Sequence, residues 1–241
     1  MWARDRILDV RGLRSYPRDG SLLDRAARWR DERGAVLPLE TAAVDLQNGM
    51  RPAMATSRFV AFAAHRLWEQ PSWRDRVAAE IAAGASDLAS ARFGPVVTAV
   101  AREVRRVSPF VPLLAARSRR AQEILGHRVA ENDPVLLDVV GTLRDPQTWP
   151  EPRHFDPGRF LSGGPAIGGA DALIPQGGGS VVAGHRCPGE DPVLGILSAG
   201  VVATTMLGEA GVPRPRIDER RLPARPPAVE LHVGTLMRSA S

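Results

Sequence analysis

The stretch Gln176-Gly-Gly-Gly-Ser-Val-Val-Ala-Gly-His-Arg-Cys-Pro-Gly189 decides how the chain is read. Consecutive glycines open it, Gly184 comes just ahead of Cys187, and Pro188-Gly189 leads into an apolar helical run from about Asp191 to Leu207. Glycines allow close backbone approach, and Pro188 suits a first helical position, where its missing N–H is not needed. A sulfur placed there meets the positive end of a helix dipole, and His185 and Arg186 add positive charge beside it. Each of these features favours the thiolate. A stabilised thiolate on an open loop can be a nucleophile, a redox sensor or a metal ligand. An inert buried thiol competes with all three, because free cysteine is among the most buried residue types. Cys187 is the single cysteine of the chain, which excludes an internal disulfide framework and any Cys-x-x-Cys zinc or redox pair.

Upstream, Glu103-Val-Arg-Arg106 lies in a helical stretch from Pro95 to Val107, ended by Ser108-Pro109. An acid and a base three residues apart share one helix face. On a surface such a pair contributes only a few tenths of a kcal/mol, but it can also lock to a third group. Phe155-Asp-Pro-Gly-Arg159-Phe160 supplies a cation, preceded by Arg144-Asp-Pro-Gln-Thr-Trp-Pro-Glu-Pro. Further upstream, Leu39, Ala42, Ala43 and Leu46 recur at helical spacing, and the stripe resumes through Phe59, Phe62 and Ala63. The spacing predicts one helix from Pro38 to about Glu69 with Pro52 inside it. Such a proline costs roughly 3 kcal/mol and should kink the helix. Beside it, Arg51 is always cationic and its fork fits a carboxylate bidentately. A surface arginine is the competing interpretation in a chain with so many.

The remaining pattern is mixed. Ser21 to Arg33 reads as a short helix opening at Ser21, and Ser72 to Ala83 as another with Ser72 as its cap, ended by Gly84. Glu123–Val129 and Val135–Val140 read as strands separated by Glu131-Asn132-Asp133, and a last strand is expected at Val229–Val233. Asp145–Phe160 and Gly163–Gly179 read as loop. The fold expected is mainly α with small β elements. Strands do not alternate with helices, so a doubly wound sheet is disfavoured.

The Cys187 loop resembles the haem-thiolate loop of the cytochrome P-450 family. Glu103/Arg106 matches that family's Glu-x-x-Arg helix, and Arg159 the arginine of its Phe-x-Pro-x-Arg-Phe loop, in the same order. The resemblance implies haem b with Cys187 as axial iron ligand, and thiolate donation that favours O–O cleavage. It gives Glu103, Arg106 and Arg159 a structural role. By the same similarity, Arg186 and Gly189 belong to the cofactor loop, and His185 stands where ordinary members carry an arginine to a haem propionate. Phe110 and Val111 correspond to pocket-lining positions.

Ordinary members carry a Gly-x-Asp/Glu-Thr pattern on the helix above the iron; no such pattern occurs between Thr41 and His65. Arg51-Pro52, with Gly-His-Arg-Cys-Pro-Gly-Glu, is instead similar to the fatty-acid peroxygenase branch, which uses hydrogen peroxide. That resemblance implies a fatty-acid carboxylate paired with Arg51, serving as general base and acid for peroxide, and oxidation at the α or β carbon or decarboxylation. The alternatives are an ordinary dioxygen- and reductase-dependent monooxygenase, or a non-catalytic remnant that binds no haem.

The resemblance runs from about residue 20 to 235 and covers only the C-terminal part of the family's fold. Residues 1–241 are therefore expected to form one partial haem-thiolate catalytic domain, incomplete at its N-terminus. A gene fragment, a chain completed by a second chain, and an inactive relative all fit that expectation.

Composition narrows the classes further. The chain has 241 residues, 44% hydrophobic and 24% charged, near globular averages, which disfavours disorder, collagen and coiled coil. The formal net charge is +5, carried without a single lysine, so all 32 basic residues are arginine. These are interleaved with acids, as in Arg30-Asp31-Glu32-Arg33, without the aromatic-basic pattern of nucleic-acid binders. The longest uncharged run, Pro192–Gly208, falls just short of the roughly 18 apolar residues of a membrane span. Asp5 and Arg6 interrupt the opening, so no signal peptide is expected and a cytoplasmic location follows.

Overall fold

A computed structural model describes residues 1–84, 90, 92–109, 111–162 and 169–207. They divide into two compact units, Met1–Thr56 and Ser57–Ser241. The first begins with a helix that the sequence reading did not anticipate, α1 (Trp2–Arg11). Its apolar positions Ala3, Ile7 and Val10 recur at helical spacing and are buried with Ala26 and Ala27 of α2 (Leu22–Arg28) and Ala42, Ala43 and Leu46 of α3 (Leu39–Glu69). Arg11 ties this cluster together. Its Nε donates to the Ala27 carbonyl at 2.9 Å and its Nη2 to the Leu37 carbonyl at 2.7 Å. Ser21 caps α2, its hydroxyl accepting from the Asp24 N–H at 3.3 Å. The helix stops at Arg28, short of the expected Arg33. Asp31 draws the chain into a turn there, accepting from the Arg33 and Ala35 N–H groups at 2.9 Å each.

Helix α3 continues through Pro52 without interruption. Proline removes one ladder donor, but the turns on either side and the Thr56 hydroxyl, which donates to the Pro52 carbonyl at 3.1 Å, hold the segment helical.

In the second unit the end of α3 supplies Phe59, Phe62, Ala63 and Leu67 to a buried cluster. Helix α4 (Pro71–Gly84) adds Trp73 and Val77, and α5 (Pro95–Val107) adds Val97, Val100, Ala101, Val104 and Val107. Helix α8 (Glu190–Leu207) adds Val193, Leu197, Val201 and Val202. Each large side chain buried this way contributes about 1.5–3 kcal/mol. Helix α4 starts at Pro71 rather than after Ser72, because proline is preorganised for the first helical position. Helix α8 has the length and mean hydropathy of a membrane-crossing helix, but one face of it is committed to this core.

Two small antiparallel sheets follow α5. Strand β1 (Leu113–Arg117) pairs with β4 (Pro134–Asp138), Leu114 opposite Leu137. Strand β2 (Gln122–Ile124) pairs with β3 (His127–Val129). The single strand expected over Glu123–Val129 is thus a hairpin, because Leu125 and Gly126 both take positive φ (51° and 80°), the geometry of a tight two-residue turn. The strand expected to reach Val140 ends at Asp138, whose carboxylate accepts the Gly141 N–H at 2.8 Å and starts α6 (Val139–Leu143). Short helical turns, α7 (Gly158–Leu161) and a 3-10 turn (Gly169–Ala172), occur where loop was expected. The expected strand at Val229–Val233 lies outside the described residues.

Candidate active site

Cys187 stands just ahead of α8, half-buried and unbridged. Helix α8 begins at Glu190, so Pro188 precedes the helix instead of occupying its first turn. The first helical bond runs from the Val193 N–H to the Gly189 carbonyl at 3.0 Å, which makes Gly189 the cap. The Cys187 backbone is held on both sides. Its N–H donates to the Gln176 carbonyl at 2.9 Å, and its carbonyl accepts from the Glu190 N–H at 3.2 Å. The two limbs of the loop lie against each other, the His185 N–H donating to the Gly178 carbonyl at 3.3 Å. Gly177 has φ +90°, and a Cβ there would run into the His185 carbonyl, so this close approach requires glycine. His185 itself is exposed and its ring makes no hydrogen bond among the described residues.

The neighbouring arginine behaves differently from what its position beside the sulfur implies. Arg186 Nε donates to the Gly179 carbonyl at 2.8 Å, Nη1 to Glu190 at 2.9 Å and Nη2 to Asp171 at 3.0 Å. All its nitrogens serve the loop and its anchors, so Arg186 fixes the shape of the loop beside Cys187. Glu190 shares its carboxylate with Arg105 of α5, whose Nη2 donates to Glu190 Oε1 at 2.6 Å. Burial pushes the Glu190 carboxyl up, but hydrogen bonds and charge from Arg105 and Arg186 outweigh it and leave the group below its ordinary range. Burial lowers Arg105, partly offset by Glu190. The hydrogen bond to Glu190 raises Arg186.

Next to Arg105, the structure brings Glu103, Arg106 and Arg159 together. Glu103 and Arg106 are both completely buried, not a surface pair. Arg106 grips both oxygens of Glu103 at 2.7 Å each and also donates to the carbonyls of Leu143 and Pro152 at 2.8 Å. Arg159 Nε reaches Glu103 Oε1 at 3.3 Å, and the Asp156 N–H donates to the same oxygen at 2.9 Å. The Arg106 guanidinium also lies 5.2 Å from the centroid of the buried Trp149 ring. Thus α5 anchors two segments, residues 143–159 through Glu103 and Arg106 and the cysteine loop through Arg105. The second anchor was not read from the sequence. Its one signal was Glu190 directly after Cys-Pro-Gly.

Arg51 and Pro52 belong to the first unit and are exposed on α3. Among the described residues the Arg51 guanidinium makes no hydrogen bond or ion pair. Val111 is half-buried just ahead of β1, and Phe110 lies outside the described residues.

The cytochrome P450 family model matches residues 55–209, spanning both anchors and the cysteine loop. The chain belongs to the cytochrome P450 family. Solved P450 structures share its fold. P450SP alpha (CYP152B1) in complex with (R)-ibuprophen has a TM-score of 0.74 and 32% identity over 93% of this chain and 52% of that one. P450EX alpha (CYP152N1) with myristic acid gives 0.67 and 35%, over 83% and 45%. A variant of cytochrome P450 OleT in complex with arachidonic acid gives 0.70 and 31%, over 85% and 45%. Among curated P450 relatives, ferruginol synthase of Salvia miltiorrhiza is 37% identical over 97 residues, 39% of this chain and 19% of that protein. Flavonoid 3'-monooxygenase CYP75B4 of Oryza sativa subsp. japonica is 37% identical over 112 residues, 44% and 19%. The chain spans about half the length of the solved P450s and about a fifth of these curated relatives.

Membership in the P450 family implies haem iron bound by a cysteine thiolate, and the donor set here fits it. Among the described residues no group of three or more His, Cys, Asp or Glu could hold a metal. A lone sulfur suits a metal that brings its own equatorial ligands, as porphyrin iron does. Gly189 lies directly beside the sulfur: a Cβ added there would sit 3.6 Å from it, an ordinary contact distance.

Proposed function

We infer that the chain is a P450 oxidoreductase acting on fatty acids with hydrogen peroxide, giving α- or β-hydroxy acids or a decarboxylated alkene. In this reading residues 1–241 are a partial catalytic domain with Cys187 as the iron ligand, in a loop shaped by Arg186 and Gly189 and flanked by His185. The bound haem supplies the oxidising chemistry at the substrate carbon. The chain's own part is binding and positioning. Arg51 has no partner among the described residues, and its planar fork is suited to a carboxylate bidentately. A carboxylate held there accepts and returns the peroxide proton, work that an arginine beside a proline cannot do itself. With the head group held, the α and β carbons are the oxidisable positions closest to it. Val111 lines the path of the acyl chain in this reading, and Phe110, outside the described residues, is assigned the same role by the family resemblance alone.

The observation that carries the reading is Cys187, a single half-buried thiol pinned by its own backbone in a glycine loop ahead of α8. Fatty-acid ligands in the OleT and P450EX alpha structures support the substrate class. The test is reconstitution with haem, reduction under carbon monoxide, and incubation with peroxide and a long-chain fatty acid without any reductase. A Soret band at the thiolate–CO position and hydroxy-acid or alkene products are expected. Arg51→Ala keeps the band and loses the products. Absence of the thiolate band overturns the reading in favour of a remnant that binds no haem. A dioxygen-dependent monooxygenase is the second reading, favoured by the monooxygenase among the sequence relatives. It is sustained if turnover requires a reductase and peroxide alone gives none.

A further inference from the structure

We propose that Glu190 is the positioning residue for the Cys187 sulfur, holding the cysteine loop to α5 through Arg186 on one side and Arg105 on the other. This inference rests on Cys187 being the iron ligand. The geometry is a closed ring around the cysteine. Arg186 and Glu190 straddle Cys187 in sequence, and their side chains meet at 2.9 Å. The peptide between them is therefore a chord whose ends are fixed by an ion pair. A further bond, from the Glu190 N–H to the Cys187 carbonyl at 3.2 Å, closes a smaller ring inside the first.

The ring is fastened to the rest of the unit at two points. Arg105 is 1% exposed and its Nε has no hydrogen-bond partner among the described residues, so Glu190 is the carboxylate that matches its charge. Asp171 holds the other end, its Oδ1 accepting from both Arg186 Nη2 at 3.0 Å and the Gly179 N–H at 3.1 Å. The Arg186 Nε bond to the Gly179 carbonyl completes a clasp across the loop. Charge-assisted bonds of this kind are about twice as strong as neutral ones and fix geometry as well as energy. Without Glu190, a buried cation loses its counter-charge and Arg186 loses the contact that spans the cysteine. The sulfur's place then depends on backbone bonds, those to Gln176 and Gly178 among them, and on the Arg186 clasp to Gly179 and Asp171, with no side-chain tie to α5 among the described residues.

Two readouts on the full chain test the proposal. In the haem-free protein, amide exchange at Cys187 and His185 reports the loop directly, because their N–H groups are bonded to the Gln176 and Gly178 carbonyls. Glu190→Gln is expected to speed exchange there about tenfold, the loss of one charge-assisted hydrogen bond, while the amides of Val100 and Val104 stay protected. In the haem-loaded protein, the ferrous–CO spectrum is expected to shift from the thiolate to the neutral-thiol position. Should Glu190→Gln fail to fold because Arg105 is left unpaired, Arg186→Gln keeps the Arg105–Glu190 pair and is expected to show the same changes at reduced size. Unchanged exchange at both amides together with an unchanged CO spectrum, in whichever variant folds, overturns the proposal. A wild-type chain with protected amides but no thiolate band overturns the iron-ligand reading, and the assignment to the sulfur goes with it.

Discussion

Arg106 spends its whole fork inside the protein, on both oxygens of Glu103 and on the carbonyls of Leu143, Pro152 and His154. Removing Arg106 leaves the buried Glu103 with only the more distant Arg159 and the Asp156 N–H, so most of what offsets its desolvation is lost. Arg106→Ala is therefore expected to destabilise the Ser57–Ser241 unit by about 3–5 kcal/mol, seen as a lower midpoint in urea unfolding. Arg106→Lys should recover little of this, because an ammonium cannot reproduce a planar bidentate grip. A variant within experimental error of the wild type would mean the hub is incidental to stability. At this scale the triad was legible because its three members lie at recognisable spacings. Arg105 was not. It is one arginine among 32, adjacent to another, and only burial separates it from the solvent-facing ones.

Elements show a sharper contrast between what local sequence dictates and what neighbours impose. Helix α5 falls where its proline start and serine stop place it. Yet its N-terminus is capped from outside: Gly94 offers no side chain, and Glu80 of α4 accepts from the Val96 and Val97 N–H groups at 2.8 and 2.9 Å. No pattern around Pro95 could reveal a cap donated by another helix. Glu80→Ala should cost about 1–2 kcal/mol, the range of a lost helix cap, measurable as a drop in Tm. The β2–β3 hairpin escaped the sequence reading for the opposite reason. Leu125 adopts a conformation that its side chain disfavours, so propensity argued for a continuing strand. That strain makes a stabilising prediction. Leu125 is 94% exposed, so Leu125→Asn loses no core contact and should raise stability by about 1 kcal/mol by relieving the left-handed penalty. A lower Tm would show that the leucine has a packing role. Helix α1 was legible in principle, since Ala3, Ile7 and Val10 keep helical spacing, but intervening charges and the turn residues after it obscured so short a stripe.

At the scale of the whole molecule, the mainly helical composition with small sheets followed from periodicity, and the family from three motifs in order. Surface behaviour follows from neither. Both faces of the β1–β4 ribbon carry exposed leucines, with Leu113 51%, Leu114 40%, Leu136 65% and Leu137 45% accessible. Among the described residues the ribbon has only two strands, and no third strand there pairs with either outer edge. Opposing this stickiness is a formal net charge of +5, whose repulsion acts over about 8–10 Å at moderate ionic strength and less in high salt. Salt thus removes the repulsion, and sulfate also strengthens apolar association. Leu114 and Leu137 are direct cross-strand partners, so replacing both with threonine trims one apolar face while keeping strand propensity. The doubly substituted chain should precipitate at a higher ammonium sulfate concentration and scatter less light, with the gap to wild type widening as salt rises. Its unfolding free energy should move by no more than about 0.5 kcal/mol, as for other exposed sites. Equal precipitation curves would show that the ribbon does not govern self-association, and a large loss of stability would show that these leucines are packed in solution.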